Sequence, residues 1–184
     1  LTYIRNSFGN SAPAVTPEFV AKFRDEIGKP PLTVKDLIDP HATTPAAETK
    51  PAGEEMPAEE KTDAAVTPAE TTPPVAEVEA GAQIDPATMQ LGEQQYILCG
   101  ACHGPTGAGV AGMAPPLANS EWVTGPYENL IGIQLRGLSG PITVNGKDYN
   151  LPAPMAAMGA GQPDENIAAV LTYIRNSFGN SAPA

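Results

Sequence analysis

The clearest pattern of apolar and polar positions lies near the end of the chain. Apolar residues recur there every three or four positions, which predicts an amphipathic helix over residues 163–179. Pro163, Asp164 and Glu165 favour its start, and Gly179 favours its C-cap. The predicted apolar face consists of Ile167, Val170, Leu171, Ile174 and Phe178.

Two further helices and a hairpin are predicted before it. Asp85 as N-cap and Pro86 at the first helical position begin a helix that runs toward Cys99. Residues 125–138 return to helical periodicity. Asn145-Gly146 lies between two short β-prone runs, which is a strong hairpin signal.

The beginning of the chain predicts a helical arm. Thr16 and Pro17 favour a helix start, and Gly28 favours its end. Its apolar face needs a surface to lie on, and the neighbouring sequence supplies none. Residues 29–40 predict one more turn. The members of the apolar face are Phe19, Val20, Phe23 and Ile27.

Composition indicates that part of the chain does not belong to a packed core. Of 184 residues, 21 are Pro and 18 are Gly, and aromatics make up only 5%. Residues 47–85 contain ten acids and two bases and no aromatic residue. Such a segment cannot bury enough apolar surface to offset its chain entropy, so it predicts an extended, disordered-type tether. An acidic docking arm for a basic partner is the alternative.

Charge and hydropathy argue against a nucleic-acid partner and against a membrane-spanning segment. The net charge of −11 argues against nucleic acid. No apolar run approaches the length of a membrane span, about 18 residues. Neither a signal peptide nor an initial Met is visible, so we expect Leu1 to be an internal or processed start.

The chemistry is concentrated in the run CGACHG. Cys99, Cys102 and His103 form C-x-x-C-H, the pattern of covalent haem c attachment. Two cysteines at this spacing can bond both vinyl groups of one haem edge, and the next His can reach the iron. The alternatives are a redox dithiol, half a zinc site or a disulfide. Zinc would need a second ligand pair, but the only other His is His41 and there is no third Cys. A redox dithiol usually lies in a βαβ unit, which the pattern does not show.

Four stretches within residues 84–180 carry a family resemblance, namely GEQQYILCGACHG, APPL, PAPMAAMGA and DENIAAVLTYIR. With them, this part of the chain resembles a class I (mitochondrial-type) cytochrome c domain of the bacterial periplasmic kind. The resemblance implies an all-α fold around one covalent haem c, bonded through Cys99 and Cys102. It also implies that the first and last helices cross. Gly92 and Tyr96 match the small and aromatic pair at that crossing, and Tyr173 is the counterpart on the last helix.

The resemblance also implies the iron ligands and their neighbours. His103 and a downstream Met are the expected ligands. Met113 lies too close to His103 to reach the opposite haem face easily. The family's ligand loop places Met155 at the iron, with Met158 as the alternative. Pro115 matches the Pro whose carbonyl accepts a hydrogen bond from the proximal imidazole. Trp122 and Arg136 are candidate neighbours of the haem propionates; otherwise Trp122 is a core residue and Arg136 a surface charge.

His/Met ligation indicates single-electron transfer rather than catalysis, because it leaves no open iron position for a substrate. The alternative is a haem c enzyme or gas sensor with an open or labile distal site. The expected partners are redox proteins, namely an electron-donor complex and a terminal acceptor or oxidase. The chain would then be a tethered module or subunit of a respiratory or dehydrogenase complex. Haem c attachment predicts a periplasmic or extracytoplasmic location, with any membrane association through a complex or an upstream anchor.

One internal repeat bears on the domain organisation. Residues 1–14 and 171–184 are identical, LTYIRNSFGNSAPA. Because the second copy holds most of the last predicted helix, residues 1–39 resemble the end and tail of a preceding cytochrome domain. The predicted organisation is this arm, a linker over 40–83 and a cytochrome c domain over 84–184. A recent duplication and a chain assembled from a repeated unit both account for the identity. We also expect the Leu1–Phe8 helix to dock on a neighbour or partner.

Overall fold

The computed structural model describes residues 14–41 and 84–180, which form a mainly helical unit with one small hairpin. Its helices are α1 (Pro17–Ala21), α2 (Pro86–His103), α3 (Glu121–Thr124), α4 (Tyr127–Arg136) and α5 (Asp164–Arg175). The hairpin consists of β1 (Ile142–Val144) and β2 (Lys147–Tyr149). Single 3-10 turns cover Arg24–Glu26 and Val34–Asp36.

The crossing of α2 and α5 forms the centre of the fold. Gly92 lies so close to α5 that a Cβ there would stand 2.2 Å from the carbonyl oxygen of Ala169. One turn further along, the Tyr96 ring packs on Tyr173 and Phe178 at centroid distances of 5.7 and 4.8 Å. The predicted meeting of first and last helices at Gly92 and Tyr96 is therefore confirmed.

Local signals explain where α2 begins and ends. The Asp85 carboxylate accepts a hydrogen bond from the Ala87 amide at 3.2 Å, and Pro86 stands at the first helical position. The helix continues through the whole C-x-x-C-H run and ends at Gly104, whose φ of 77° favours glycine. The predicted start is confirmed.

The last helix is shorter than predicted. It ends at Arg175 rather than near Gly179, so Phe178 lies beyond it with a φ of 60°. The reason is that two side-chain amides take over the final carbonyls: Asn176 Nδ2 donates to Thr172 O and Asn180 Nδ2 donates to Ile174 O, each at 2.8 Å. The rest of the predicted apolar face is buried, namely Ile167, Val170, Leu171 and Ile174.

The hairpin is present as predicted. Val144 pairs with Lys147 across the turn. Asn145 and Gly146 both have positive φ, 52° and 70°, as a two-residue type I′ turn requires. Because the hairpin is short, its contribution is to place Ile142 and Val144, both buried, against the rest of the unit.

The N-terminal arm lies on α4 and α5. Val20 is completely buried, and the Phe19 ring packs on Tyr127 at a centroid distance of 5.0 Å. The Val15 amide donates to Thr172 Oγ1 at 2.9 Å, and Arg24 pairs with Asp164. The surface that the apolar face of the arm needs therefore comes from residues more than 100 positions away in sequence.

The arm departs from its prediction in one respect. Its α-helix ends after Ala21 and a 3-10 turn follows, so Ile27 falls out of phase with the buried face and is 38% exposed. The further turn predicted over residues 29–40 is present as the 3-10 turn Val34–Asp36, closed by a reciprocal Thr33–Asp36 capping box.

Several predictions lie outside the described residues. These are the Leu1–Phe8 helix, the linker from residue 42 to 83 and the last four residues of the second repeat copy. Within the described part of the chain, no helix combines the length and the apolar character that crossing a membrane would require.

Candidate haem site

The C-terminal end of α2 holds the three residues of the C-x-x-C-H run. Cys99 and Cys102 are three positions apart on one helix and His103 is four positions after Cys99, so all three fall on neighbouring parts of one helix face. Cys99 is half-buried, Cys102 is exposed, and neither is in a disulfide. His103 is buried, with 8% of its surface exposed.

The thiols do not have the features of a redox or zinc site. Burial raises the pKa of the Cys99 thiol, whereas a reactive dithiol needs a lowered one. Among residues 14–41 and 84–180, no three His, Cys, Asp or Glu side chains come together as a metal site. These observations favour neither a reactive dithiol nor a zinc site at Cys99 and Cys102.

The His103 ring has a fixed orientation. Its Nδ1 lies 2.8 Å from the carbonyl oxygen of Pro115. Because a carbonyl only accepts, Nδ1 carries the proton and Nε2 is the nitrogen with a free lone pair. Burial lowers the pKa of His103, although the Pro115 bond opposes this, so the neutral, metal-ligating form is favoured.

A tight loop between α2 and α3 brings Pro115 to this position. Val110 and Ala114 exchange two backbone hydrogen bonds of 3.0 Å each, and the Gly109 amide donates to the carbonyl of His103 at 2.8 Å. A Cβ at Gly109 would lie 2.7 Å from the backbone nitrogen of Pro116, and its φ is 77°. Glycine is therefore required where the loop turns back past His103.

The described unit contains a cavity of about 380 Å³ next to His103. Side chains from α2, the loop after it, α4, the hairpin, the segment before α5 and α5 itself line it, and most of them are apolar. Cys99, Cys102, His103 and Met155 all contribute to this lining. Two thiols, an imidazole and a thioether around one apolar cavity fit a haem bonded covalently to the two cysteines.

Three methionines line the cavity, namely Met113, Met155 and Met158. They differ in how their backbones are held. Met155 is in a β-bridge with Leu138: the Met155 amide donates to Leu138 O at 2.8 Å, and the Leu138 amide donates to Met155 O at 3.1 Å. Met158 begins a turn, and Met113 is 54% exposed.

The two predicted neighbours of the propionates occupy different surroundings. Trp122 lines the cavity, and its indole N–H donates to the backbone oxygen of Thr143 at 2.8 Å. Arg136 does not line the cavity. Its guanidinium instead donates to Pro30 O at 2.8 Å and to the Glu26 carboxylate at 2.9 Å, because the arm lies over this end of α4.

Sequence reasoning missed the residues that support the Met155 segment. Leu138 forms the bridge to Met155, and Gly137 allows the close approach, since a Cβ there would lie 2.3 Å from Met155 O. Leu32 of the arm bridges to Leu138 from the other side. Of these three residues, only Gly137 has a recognisable sequence signal. A glycine after a helical pattern indicates the end of a helix, and it gives no indication of a contact with Met155.

Comparison with known proteins gives consistent matches. Residues 89–178 match the protein family described as Cytochrome c. The chain is 39% identical over 94 residues to Cytochrome c-552 of Thermus thermophilus, an alignment that covers 49% of this chain and 70% of that protein. A second Cytochrome c-552, from a named strain of the same species, is also 39% identical over 94 residues, with 49% of this chain and 62% of that protein covered.

Proposed function

Because the chain belongs to the cytochrome c family, we propose that it carries single electrons through a haem c whose iron is held by His103 and Met155. Members of this family are electron carriers, and Cys99 and Cys102 imply covalent haem c. The observation that carries the proposal is the apolar cavity lined by Cys99, Cys102, His103 and Met155. When bound, haem c supplies an iron that exchanges one electron.

The protein's own residues then have defined roles. Pro115 holds His103 with Nε2 unprotonated, and this contact increases the basicity of the ring as a ligand. The apolar lining keeps water from the iron, which favours the less charged reduced state. Met155 supplies a soft thioether, which also favours Fe(II) and raises the reduction potential.

Met155 is favoured over Met158 because its backbone is fixed. Two hydrogen bonds to Leu138, made by its own amide and carbonyl, hold the peptide groups of Met155 on both sides. At Met158 the anchoring bond is made by the next residue, whose amide donates to Gln134 O at 2.8 Å, and Met158 itself lies at the start of a turn. A fixed backbone lowers the entropy lost when the side chain binds the iron. With His103 and Met155 both holding the iron, the site would leave no open position for a substrate, which supports electron relay rather than catalysis.

An exposed apolar side chain beside the Cys pair supports a docking role for redox partners. Ile97, on α2 two residues before Cys99, is 77% exposed and does not line the cavity. An exposed apolar side chain next to the haem attachment site suits a brief encounter between redox proteins. We propose an electron-donor complex and a terminal acceptor as partners, with the chain as a module or subunit of a respiratory or dehydrogenase assembly in the periplasm.

The proposed domain organisation remains an arm over 1–39, a linker over 40–83 and the cytochrome domain over 84–184. The repeat supports one addition to this organisation. Val15 of the arm and Asn180 after α5 both form hydrogen bonds with the last turns of α5. The same four residues, Ser-Ala-Pro-Ala, follow Asn180 and precede Val15 in the sequence. We propose that a tail following such a domain folds back onto that domain.

Visible spectra of the holoprotein with Met155→Ala and Met158→Ala test the proposal. We expect the parent and the Met158 variant to show a low-spin spectrum with the weak sulfur–iron charge-transfer band, unchanged by carbon monoxide. The Met155 variant should lose the band and bind carbon monoxide. A parent protein that is high-spin and binds carbon monoxide would instead support an enzyme or gas sensor. Loss of the band only in the Met158 variant would move the ligand to that residue.

A further inference from the structure

The arm contacts the backbone segment that holds Met155. The Leu32 amide donates to Gly137 O at 3.0 Å, and the Ser139 amide donates to Leu32 O at 2.8 Å. Leu138, between these two residues, exchanges two hydrogen bonds with Met155. Residues 137–139 are therefore the middle of a three-segment ladder, with the arm on one side and Met155 on the other.

Side chains reinforce the arm side of this ladder. Leu32 is 6% exposed, and its Cδ1 fills the space beside Gly132 of α4. Arg136, directly before the ladder, donates to Pro30 O and to the Glu26 carboxylate. The arm is thus attached to the end of α4 and to the ladder at several adjacent points, by backbone bonds, an ion pair and a buried apolar side chain.

We propose that the arm is a positioning element for the distal ligand, and that Leu32, acting through residues 137–139, keeps Met155 at the iron. The proposal rests on the proposed function, because it takes Met155 as the axial ligand. Leu32 does not line the cavity, so its effect on Met155 is exerted through residues 137–139 and not by direct contact with the haem site.

The physical reason is the open edge that would remain without the arm. With Leu32 absent, Gly137 O and the Ser139 amide lose their backbone partners, and residues 137–139 are held on the Met155 side only. A segment paired on one side opens more readily than one paired on both. Each opening also releases both backbone bonds of Met155, so the thioether leaves the iron more often and an exogenous ligand can enter.

The test uses the full-chain holoprotein with Leu32→Pro, which keeps an apolar residue but removes the amide that donates to Gly137. We expect carbon monoxide to bind the ferrous variant about tenfold faster than the parent, as the loss of one backbone hydrogen bond implies. The sulfur–iron band should weaken, and the Leu138 and Met155 amides should exchange hydrogen about tenfold faster.

Val20→Ala is the matched control, because Val20 is a completely buried arm residue that takes no part in the ladder. It should lower the free energy of unfolding while leaving carbon monoxide binding and the two amide exchange rates near those of the parent. If Val20→Ala accelerates these rates as much as Leu32→Pro does, the arm acts only through global stability and the proposal is overturned. Unchanged rates in Leu32→Pro would overturn it equally.

Two further measurements keep the test decisive. If Leu32→Pro does not fold, Glu26→Ala removes the Arg136 ion pair beside the ladder and should give a smaller acceleration in the same direction; no acceleration would overturn the proposal. If the parent itself lacks the sulfur–iron band, the proposed ligation fails. The amide exchange rates of Leu138 and Met155 would then still decide whether the arm holds this segment.

Discussion

Gly137 offers the sharpest single test of how the Met155 segment is held. Its φ is 83°, and a Cβ there would lie 2.3 Å from the carbonyl oxygen of Met155. Contacts of this kind essentially never fall below 3.0 Å, so in Gly137→Ala the oxygen must retreat by about 0.7 Å. The same oxygen accepts the Leu138 amide at 3.1 Å, and the retreat would stretch or break that bond.

Gly146 provides the matched control. Its φ is also positive, 70°, a Cβ there meets nothing within 4 Å, and it does not line the haem cavity. Gly146→Ala therefore reports the backbone cost alone, about 1 kcal/mol. Gly137→Ala adds the displaced Met155 carbonyl and its weakened hydrogen bond, for a total of about 2–4 kcal/mol.

The assay is denaturant unfolding of both holoprotein variants, with the sulfur–iron band recorded in parallel. We expect Gly137→Ala to lose more stability than Gly146→Ala and to be the only one of the two in which the band weakens. Equal losses in the two variants, with the band intact in both, would show that residues 137 and 155 are not in the close contact described here.

Three other perturbations test separate parts of the structure. Gly92→Ala should destabilise the protein by about 1–3 kcal/mol, because α2 and α5 must separate to admit the Cβ; an unchanged unfolding midpoint would contradict the crossing. Thr172→Val leaves the buried Val15 amide without its side-chain acceptor and should cost about 1–3 kcal/mol, with Thr172→Ser restoring most of it. Hydrogen bonds from Lys29, and secondarily from Arg136, lower the pKa of Glu26. The ionised Glu26 carboxylate therefore stabilises the fold above the usual pKa of 4.5, and this stabilisation is lost as pH falls through the lowered pKa. The difference in unfolding midpoint between the parent and Glu26→Gln should therefore shrink on acidification below pH 4.5, and a constant difference would exclude this role.

The arm connects these tests. Val15, Glu26 and Leu32 each contact a different part of the domain, namely α5, the end of α4 and the Met155 ladder. The proposal places the control of Met155 in residues 26–32, so Thr172→Val should loosen the Val15 end without accelerating amide exchange at Leu32. Acceleration at Leu32 as well would show that the arm docks as one unit and would contradict this local control.

Local chemistry determined much of what could be predicted. The start of α2 follows from Asp85 and Pro86, and the hairpin follows from the two positive φ angles that Asn145 and Gly146 accept. Each of these features depends on residues within a few positions of one another. The haem attachment run has the same property, because Cys99, Cys102 and His103 need only one helical turn to come together.

The end of α5 shows where local signals were insufficient. Gly179 indicated a helix end, and its φ is indeed positive at 80°. The helix nevertheless ends earlier, because the Asn180 side chain folds back to Ile174 O and also donates to Leu117 O in a loop 63 positions away. A glycine indicates where the backbone can turn. Which donors bind the last carbonyl oxygens of the helix, and so where the helix ends, depends on side chains that the fold brings close.

The sequence alone indicated the cofactor and the family and predicted His103 as the first iron ligand, because a haem attachment run carries its chemistry in adjacent residues. Tertiary structure alone decided that Arg136 faces the arm, that the apolar face of the arm lies on α4 and α5, and that Leu32 reaches the backbone beside Met155. All these contacts of the arm join residues more than 100 positions apart in the sequence. Only the Leu138–Met155 bridge, on which Leu32 acts, joins residues that are closer in sequence. A charged or apolar side chain looks the same in the sequence whether it meets solvent or a distant partner, and only the packed chain brings the two partners together.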